Sequence, residues 1–256
     1  VNIFLKLLPR PDTFLSGVLF FEKEKFCWDL VSKIKSTTFV SPCSLEYFDR
    51  FSLELLREKY PNIPLQAEAA LFFEEDVVDQ KDYDAAFEVC IEFLTDKNIL
   101  MDESWFAHDQ KDVQAFHEFR HQIPMLVNEK NSRAGREKIG TDMAVPDKYF
   151  HDMMTFYNKT LFGKGLPYVI FGHLGDNHLH INLLPDSSQE KLAKSLYDEL
   201  ARKIISWEGT VSAEHGIGKK KKKYFYAMVG EESIEGLKKI KNVLDPQTRL
   251  GRGNVL

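Results

Sequence analysis

The sequence predicts an α+β fold: a ferredoxin-like antiparallel sheet covered by helices, duplicated along the chain. Three observations point there. Apolar strand-like runs alternate with segments of helical spacing. The order of strand, helix and strands restarts at "IGTDMAV", Ile139–Val145, with no repeat at the level of sequence. Two late strands are joined by a tight Gly-Asp-Asn turn, the connection that suits antiparallel neighbours.

The elements follow in order. "VNIFLKLL" and "LSGVLFFEK" read as strands. "KFCWDLVSKIKS" has apolar residues at helical steps. "LEYFDRFSLELLREKY" reads as a second helix, stopped by Pro61. "LQAEAALFFEEDV" is a buried strand, and "DYDAAFEVCIEFLTDK" a helix. "KDVQAFHEFRHQIPMLVNE" begins helical, and Pro124 should kink or end it. After the restart, "IGTDMAV" is a short strand and "DKYFHDMMTFYNKTL" a helix with Asp147 as N-cap. "PYVIFGH" and "HLHINLLP" are strands. "SSQEKLAKSLYDELARKIISW" is an amphipathic helix capped by Ser187 or Ser188, and "EESIEGLKKIKNVLDP" a final helix.

Composition narrows the class. The 256 residues are 43% hydrophobic and 29% charged, an ordinary globular profile able to bury a core. The net charge of −5 argues against a polyanion binder, so no nucleic acid is expected. No apolar run approaches the roughly 20 residues of a membrane span. Cys27, Cys43 and Cys90 lie far apart and form no CxxC, which suits a reducing, cytoplasmic setting without disulfides. Lys219–Lys223 is read first as a solvated loop or helix start. Its functional reading is a guide for anionic substrate, or a contact to an anionic cofactor or membrane surface; a peripheral membrane or electron-acceptor contact of the protein stays open. The opening valine fits a piece excised from a longer protein.

The chemistry concentrates in "FGHLGDNHLHINLLP", Phe171–Pro185. A turn centred on Asp176-Asn177 sets His173 opposite His180 and Phe171 opposite Asn182. His178, His180 and Asn182 then share a face, since side chains alternate along a strand. Opposed Cβ atoms lie about 4.5–5.5 Å apart, so two imidazoles can reach one metal ion. A lone strand histidine is usually a hydrogen-bonded core residue; the pairing is what raises metal binding. In "GTVSAEHGIGKKKKKYF", Glu214 can complete a two-His, one-carboxylate set, and His215 beside it can act as a base. Gly216 and Gly218 suit a tight turn near a ligand.

"GHLGDNHLHIN", "GTVSAEHGIGKKK" and the terminal "LDPQTRLGRGNVL", taken in order, resemble the C-terminal substrate domain of the FAD-linked oxidases and dehydrogenases of 2-hydroxy acids. That group includes glycolate oxidase, D-lactate dehydrogenase and D-2-hydroxyglutarate dehydrogenase. The resemblance implies one substrate or cap domain over residues 1–256, with the FAD-binding domain outside the chain and the chain alone inactive. It implies His173, His180 and Glu214 as metal ligands, and His215 as general base. It places Arg120, Lys138 and Asn182 at the substrate and Asn254 near the flavin. FAD and a divalent metal follow as cofactors, with zinc favoured and manganese or iron(II) compatible. Partners would be a small 2-hydroxy acid and the FAD domain of the same protein, with oligomerisation left open. Where many members read Gly-Asn, this chain has Asn177-His178. Where many end "NPGK", it has Gly251-Arg252-Gly253-Asn254. Pro124 replaces a polar contact of the hydroxyglutarate enzymes, which argues against that substrate.

Two rivals stay open. "HLHINLL" nearly gives the His-x-His-x-His of a histidine-triad nucleotide hydrolase or transferase, with Asn182 in place of the third histidine. A non-catalytic, partner-binding module is the other.

Overall fold

A computed structural model describes residues 2–7, 9–38, 40–94 and 98–256. The chain divides into two compact units. The first comprises residues 1–127 and 173–175, the second residues 128–172 and 176–256. No helix among the described residues is long and apolar enough to cross a membrane.

The first unit runs β1 (Thr13–Phe21), α1 (Glu24–Lys35), β2 (Ser44–Asp49), α2 (Arg50–Leu56), β3 (Ala69–Val77), α3 (Tyr83–Leu94), β4 (Trp105–Phe106) and α4 (Gln110–Arg120). Its strands lie in the order β4-β1-β3-β2, all neighbours antiparallel. That is the ferredoxin-like order, with α2 a short insertion between the second and third strands. The β1–β3 ladder holds nine pairs, from Thr13↔Val77 to Phe21↔Ala69. Successive residues of β1 are buried, so the strand is covered on both faces and loses the alternation of a one-sided sheet. Phe119 of α4 meets Phe48, Tyr60 and Trp105 edge to face, with centroids 5.0–5.5 Å apart. Such geometry sets positive ring edges against negative faces.

The second unit repeats the plan in a broken form. It begins within α5 (Gln122–Arg133) and continues with β5 (Ile139–Gly140), β6 (Met143–Ala144), α6 (Phe150–Leu161), β7 (Tyr168–His173), β8 (His178–Leu183), α7 (Glu190–Ser206) and α8 (Lys222–Leu244). β8 pairs with β7 on one side and with β5 and β6 on the other. After α7 a single antiparallel bridge, Ala144↔Thr210, stands where a fourth strand would lie. Met153, Met154 and Tyr157 of α6 and Leu196, Leu200 and Ile204 of α7 are buried, as are Ile170, Leu179, Ile181 and Leu183 of the strands.

Several expectations are corrected. Residues 2–7 form no strand, and Ile3, Phe4, Leu5 and Leu7 are exposed; Val1 and Leu8 of that run lie outside the described residues. "LEYFDRFSLELLREKY" splits into β2 and α2. Tyr47 and Phe48 fit a buried strand. Asp49 then starts the helix, its carboxylate accepting the Ser52 N–H at 2.8 Å. The α3 prediction holds to Leu94, and its last residues, 95–97, lie outside the described residues. The helix before Pro124 ends at Arg120, and Pro124 sits in the first turn of α5, where its missing N–H breaks no helical bond. "IGTDMAV" is two short strands parted by Thr141 and Asp142. Tyr149, not Asp147, is the N-cap of α6. Neither Ser187 nor Ser188 caps α7; Asp186 accepts the N–H groups of Ser188 and Gln189 at 2.8 and 3.1 Å. The final helix starts inside the lysine run and breaks at Gly230, φ 78°.

Candidate metal centre

The hairpin carries the first correction to the site. Phe171 pairs with His180 and Val169 with Asn182, a shift of two from the expected register. A two-residue shift keeps every side chain on its face, so His178, His180 and Asn182 still point the same way. The cause is the turn. It occupies Leu174–Asn177 rather than Asp176-Asn177 alone, with a 3-10 turn at Leu174–Asp176 and Asn177 at φ 52°. Gly172 takes φ 134°, and a Cβ there would press on the His178 carbonyl oxygen at 3.1 Å. Only glycine fits that approach without strain.

Asp142, in the gap between β5 and β6, is the hub of the second unit. Its side chain is 1% exposed. It accepts the backbone N–H of Glu214 at 3.1 Å and of His215 at 2.9 Å. It also accepts from Ser212 Oγ at 3.0 Å, Lys221 Nζ at 2.7 Å and His178 Nε2 at 3.0 Å. Burial alone would raise its pKa, but the Lys221 hydrogen bond and charge and the two backbone N–H groups hold it well below the usual carboxylate range. An ionised carboxylate can only accept, so His178 Nε2 carries the proton. By the same logic the Thr141 carbonyl, 3.3 Å from His180 Nδ1, fixes the proton of His180 there. Burial and the neighbouring His178 lower the His180 pKa, which favours its neutral form.

The remaining ring nitrogens both turn to Glu214. His178 Nδ1 lies 3.7 Å from Glu214 Oε1, and His180 Nε2 lies 4.0 Å from Glu214 Oε2. Ligand atoms of the three residues lie within 4.8 Å of one another. Two donors each about 2.1 Å from a tetrahedral ion stand about 3.4 Å apart, so the set fits a divalent cation with small adjustment. The side chain of Glu214 is 47% exposed, against 4% for His178 and 13% for His180, so solvent reaches the group mainly at Glu214. His215 is 62% exposed, its ring stacked on His180 at 5.3 Å and its Nδ1 3.7 Å from Asp142.

Asn182 is buried on β8 opposite Gly140. Lys138 precedes β5, half-buried, with its pKa lowered by burial. Asn254 lies in an exposed terminal turn whose neighbour Val255 donates to the Gly218 carbonyl at 3.2 Å. Gly216 and Gly218 take φ 75° and 54°, as a tight turn requires. In the first unit Glu46 accepts from Arg120 Nη2 and from His173 Nδ1, each at 2.7 Å. The lysine run is not simply solvated. Lys221 is bound to Asp142, and Lys223 to Asp198 at 2.6 Å. The sequence did not point to Asp142, to Glu46 or to the Nδ1 of His178 that faces Glu214. Asp142 lay inside a presumed strand, where a buried carboxylate gives no periodic signal.

Residues 10–255 match the family model described as FAD linked oxidases, C-terminal domain. The chain is 24% identical to the glycolate oxidase subunit GlcD of Bacillus subtilis over 98% of its length, a match spanning 53% of that protein. It is 33% identical over 107 residues to the mitochondrial D-lactate dehydrogenase [cytochrome] of Kluyveromyces lactis, covering 42% of this chain and 19% of the relative. A crystal structure of p-cresol methylhydroxylase with substrate bound superposes at TM-score 0.67 and 14% identity, over 97% of this chain and 53% of that one; this supports the fold alone. With its duplicated antiparallel plan and a family match over nearly its whole length, the chain belongs to the C-terminal domain family of the FAD-linked oxidases.

Proposed function

We propose that the chain is the substrate domain of a flavin-dependent, metal-assisted 2-hydroxy acid dehydrogenase or oxidase, glycolate- or D-lactate-like, that yields a 2-oxo acid. The observation that carries this reading is the convergence on Glu214 of an imidazole lone pair whose ring proton is already committed to a backbone carbonyl. Facing acceptors repel unless a cation or proton lies between them. His180 and Glu214 would hold a divalent cation. His173, implied by the motif spacing, would be a further ligand, with its Nδ1 bound to Glu46 in the way that metal-binding histidines are commonly oriented. Zinc suits imidazole and carboxylate best, with manganese and iron(II) compatible.

When bound, the cation supplies Lewis-acid charge that lowers a hydroxyl pKa, and the flavin, held mainly by a domain outside this chain, supplies the two-electron acceptor. His215 would take the hydroxyl proton, a role that its exposed imidazole permits. Arg120 would grip the substrate carboxylate. Its guanidinium has five donors, so the Glu46 pairing leaves others for a ligand. Lys138 would be a second carboxylate contact, Asn182 would line the site, and Asn254 would reach toward the flavin.

Elemental analysis of the purified chain, followed by chelation and titration with Zn(II) and Mn(II), tests the reading. One cation per chain is expected, with His180→Ala and Glu214→Gln each weakening it at least about tenfold. A chain that takes up no cation would end the metal-assisted mechanism.

A further inference from the structure

The sequence motif implies two histidines at the cation, yet the structure presents another. We infer that His178 is an additional metal ligand, binding through Nδ1, and that it tilts the site toward zinc over manganese. This rests on the proposed cation site but goes beyond the ligands that the motif implies.

Three observations converge on His178. Its ring is almost fully buried, so water has little access to Nδ1. Its Nε2 proton is held by Asp142 at 3.0 Å, which sets the tautomer and leaves Nδ1 as the acceptor. That carboxylate is itself fixed by Lys221 and by two backbone N–H groups, so the ring has a rigid support. A carboxylate bound to the far nitrogen of an imidazole is the usual companion of a metal-binding histidine. Finally, Nδ1 faces Glu214 at 3.7 Å, and the His178 and His180 rings stand 4.6 Å apart at 71°. Rings inclined in this way can aim two nitrogens at one point rather than stack.

The second consequence follows from ligand chemistry. Imidazole nitrogen suits zinc, while manganese prefers carboxylate, carbonyl and water oxygen. Each oxygen position replaced by an imidazole therefore widens the gap between the two ions. An imidazole at position 178, in place of a side chain offering only amide oxygen, should shift metal choice without altering the hairpin.

The experiment uses the chain labelled with 15N-histidine, with Zn(II) as probe. In long-range proton–nitrogen spectra, the Nδ1 signal of His178, assigned by its loss in His178→Asn, should move from a lone-pair position to a metal-bound one as zinc is added. In parallel, His178→Asn should lower zinc affinity at least about tenfold and manganese affinity much less. If zinc binds while the His178 signal stays in place, His178 is no ligand and the inference falls, though the cation site stands. If no zinc binds, both fall. The spectrum of the unaltered chain decides the matter even where the variant folds poorly. Equal losses for zinc and manganese would overturn the selectivity claim.

Discussion

The two units follow the same ferredoxin-like order, but they treat it differently. In the first, a nine-pair ladder and an aromatic cluster around Phe119 satisfy the backbone and fill the core. In the second, the first strand is parted at Thr141-Asp142, the hairpin bends at Gly172, and the fourth strand shrinks to one bridge. The candidate chemistry of the second unit gathers at these interruptions. A regular ladder commits each backbone group to its neighbour, whereas a broken one leaves N–H and carbonyl groups for side chains to use.

The contrast between two buried aspartates sharpens this. Asp49 in the first unit caps a helix by accepting the N–H of Ser52, three residues away. Asp142 in the second joins residues 36 to 79 positions away. Replacing Asp142 with Ala should therefore have the largest effect. It strands the mostly buried Lys221 ammonium, and losing one partner of such a pair costs about 3–5 kcal/mol. Urea unfolding should show that loss, together with weakened zinc binding. Gly172→Ala comes next. Its positive φ and the nearby His178 carbonyl predict about 1–3 kcal/mol, with a matching fall in zinc affinity. Asp49→Ala is the smallest, about 1 kcal/mol from the lost helix cap, and zinc affinity should not change. If Asp49→Ala disturbed metal binding as much as Asp142→Ala, the distinction between the two units would be lost.

What could be read from residues alone divides along the same line. The helices α1 and α3 were legible from helical spacing, and β1, β3 and the hairpin strands from short apolar runs that the fold buries. The strand β2 was hidden because it runs straight into α2, and "EYFD" beside "FSLELL" mimics one continuous helical stripe. His180, Glu214 and His215 were legible as a pattern of residue types. The register was not, because Asn177 and Gly172 allow a longer turn than the Asp-Asn pair suggests. Asp142 and Glu46 were invisible for a deeper reason. Each acts on residues dozens of positions away, and nothing in its own neighbourhood shows what it will meet. His178 was seen on the right face, but its tautomer is set by Asp142, which only the folded chain supplies.

The lone bridge at Thr210 also has an architectural meaning. Had that segment run on as a full edge strand, the amides of Glu214 and His215 would have answered to a neighbouring backbone. Instead they hang from a single carboxylate. One side chain thus replaces a length of sheet edge, and the loop it suspends can carry an acid and an imidazole out to where a substrate could approach.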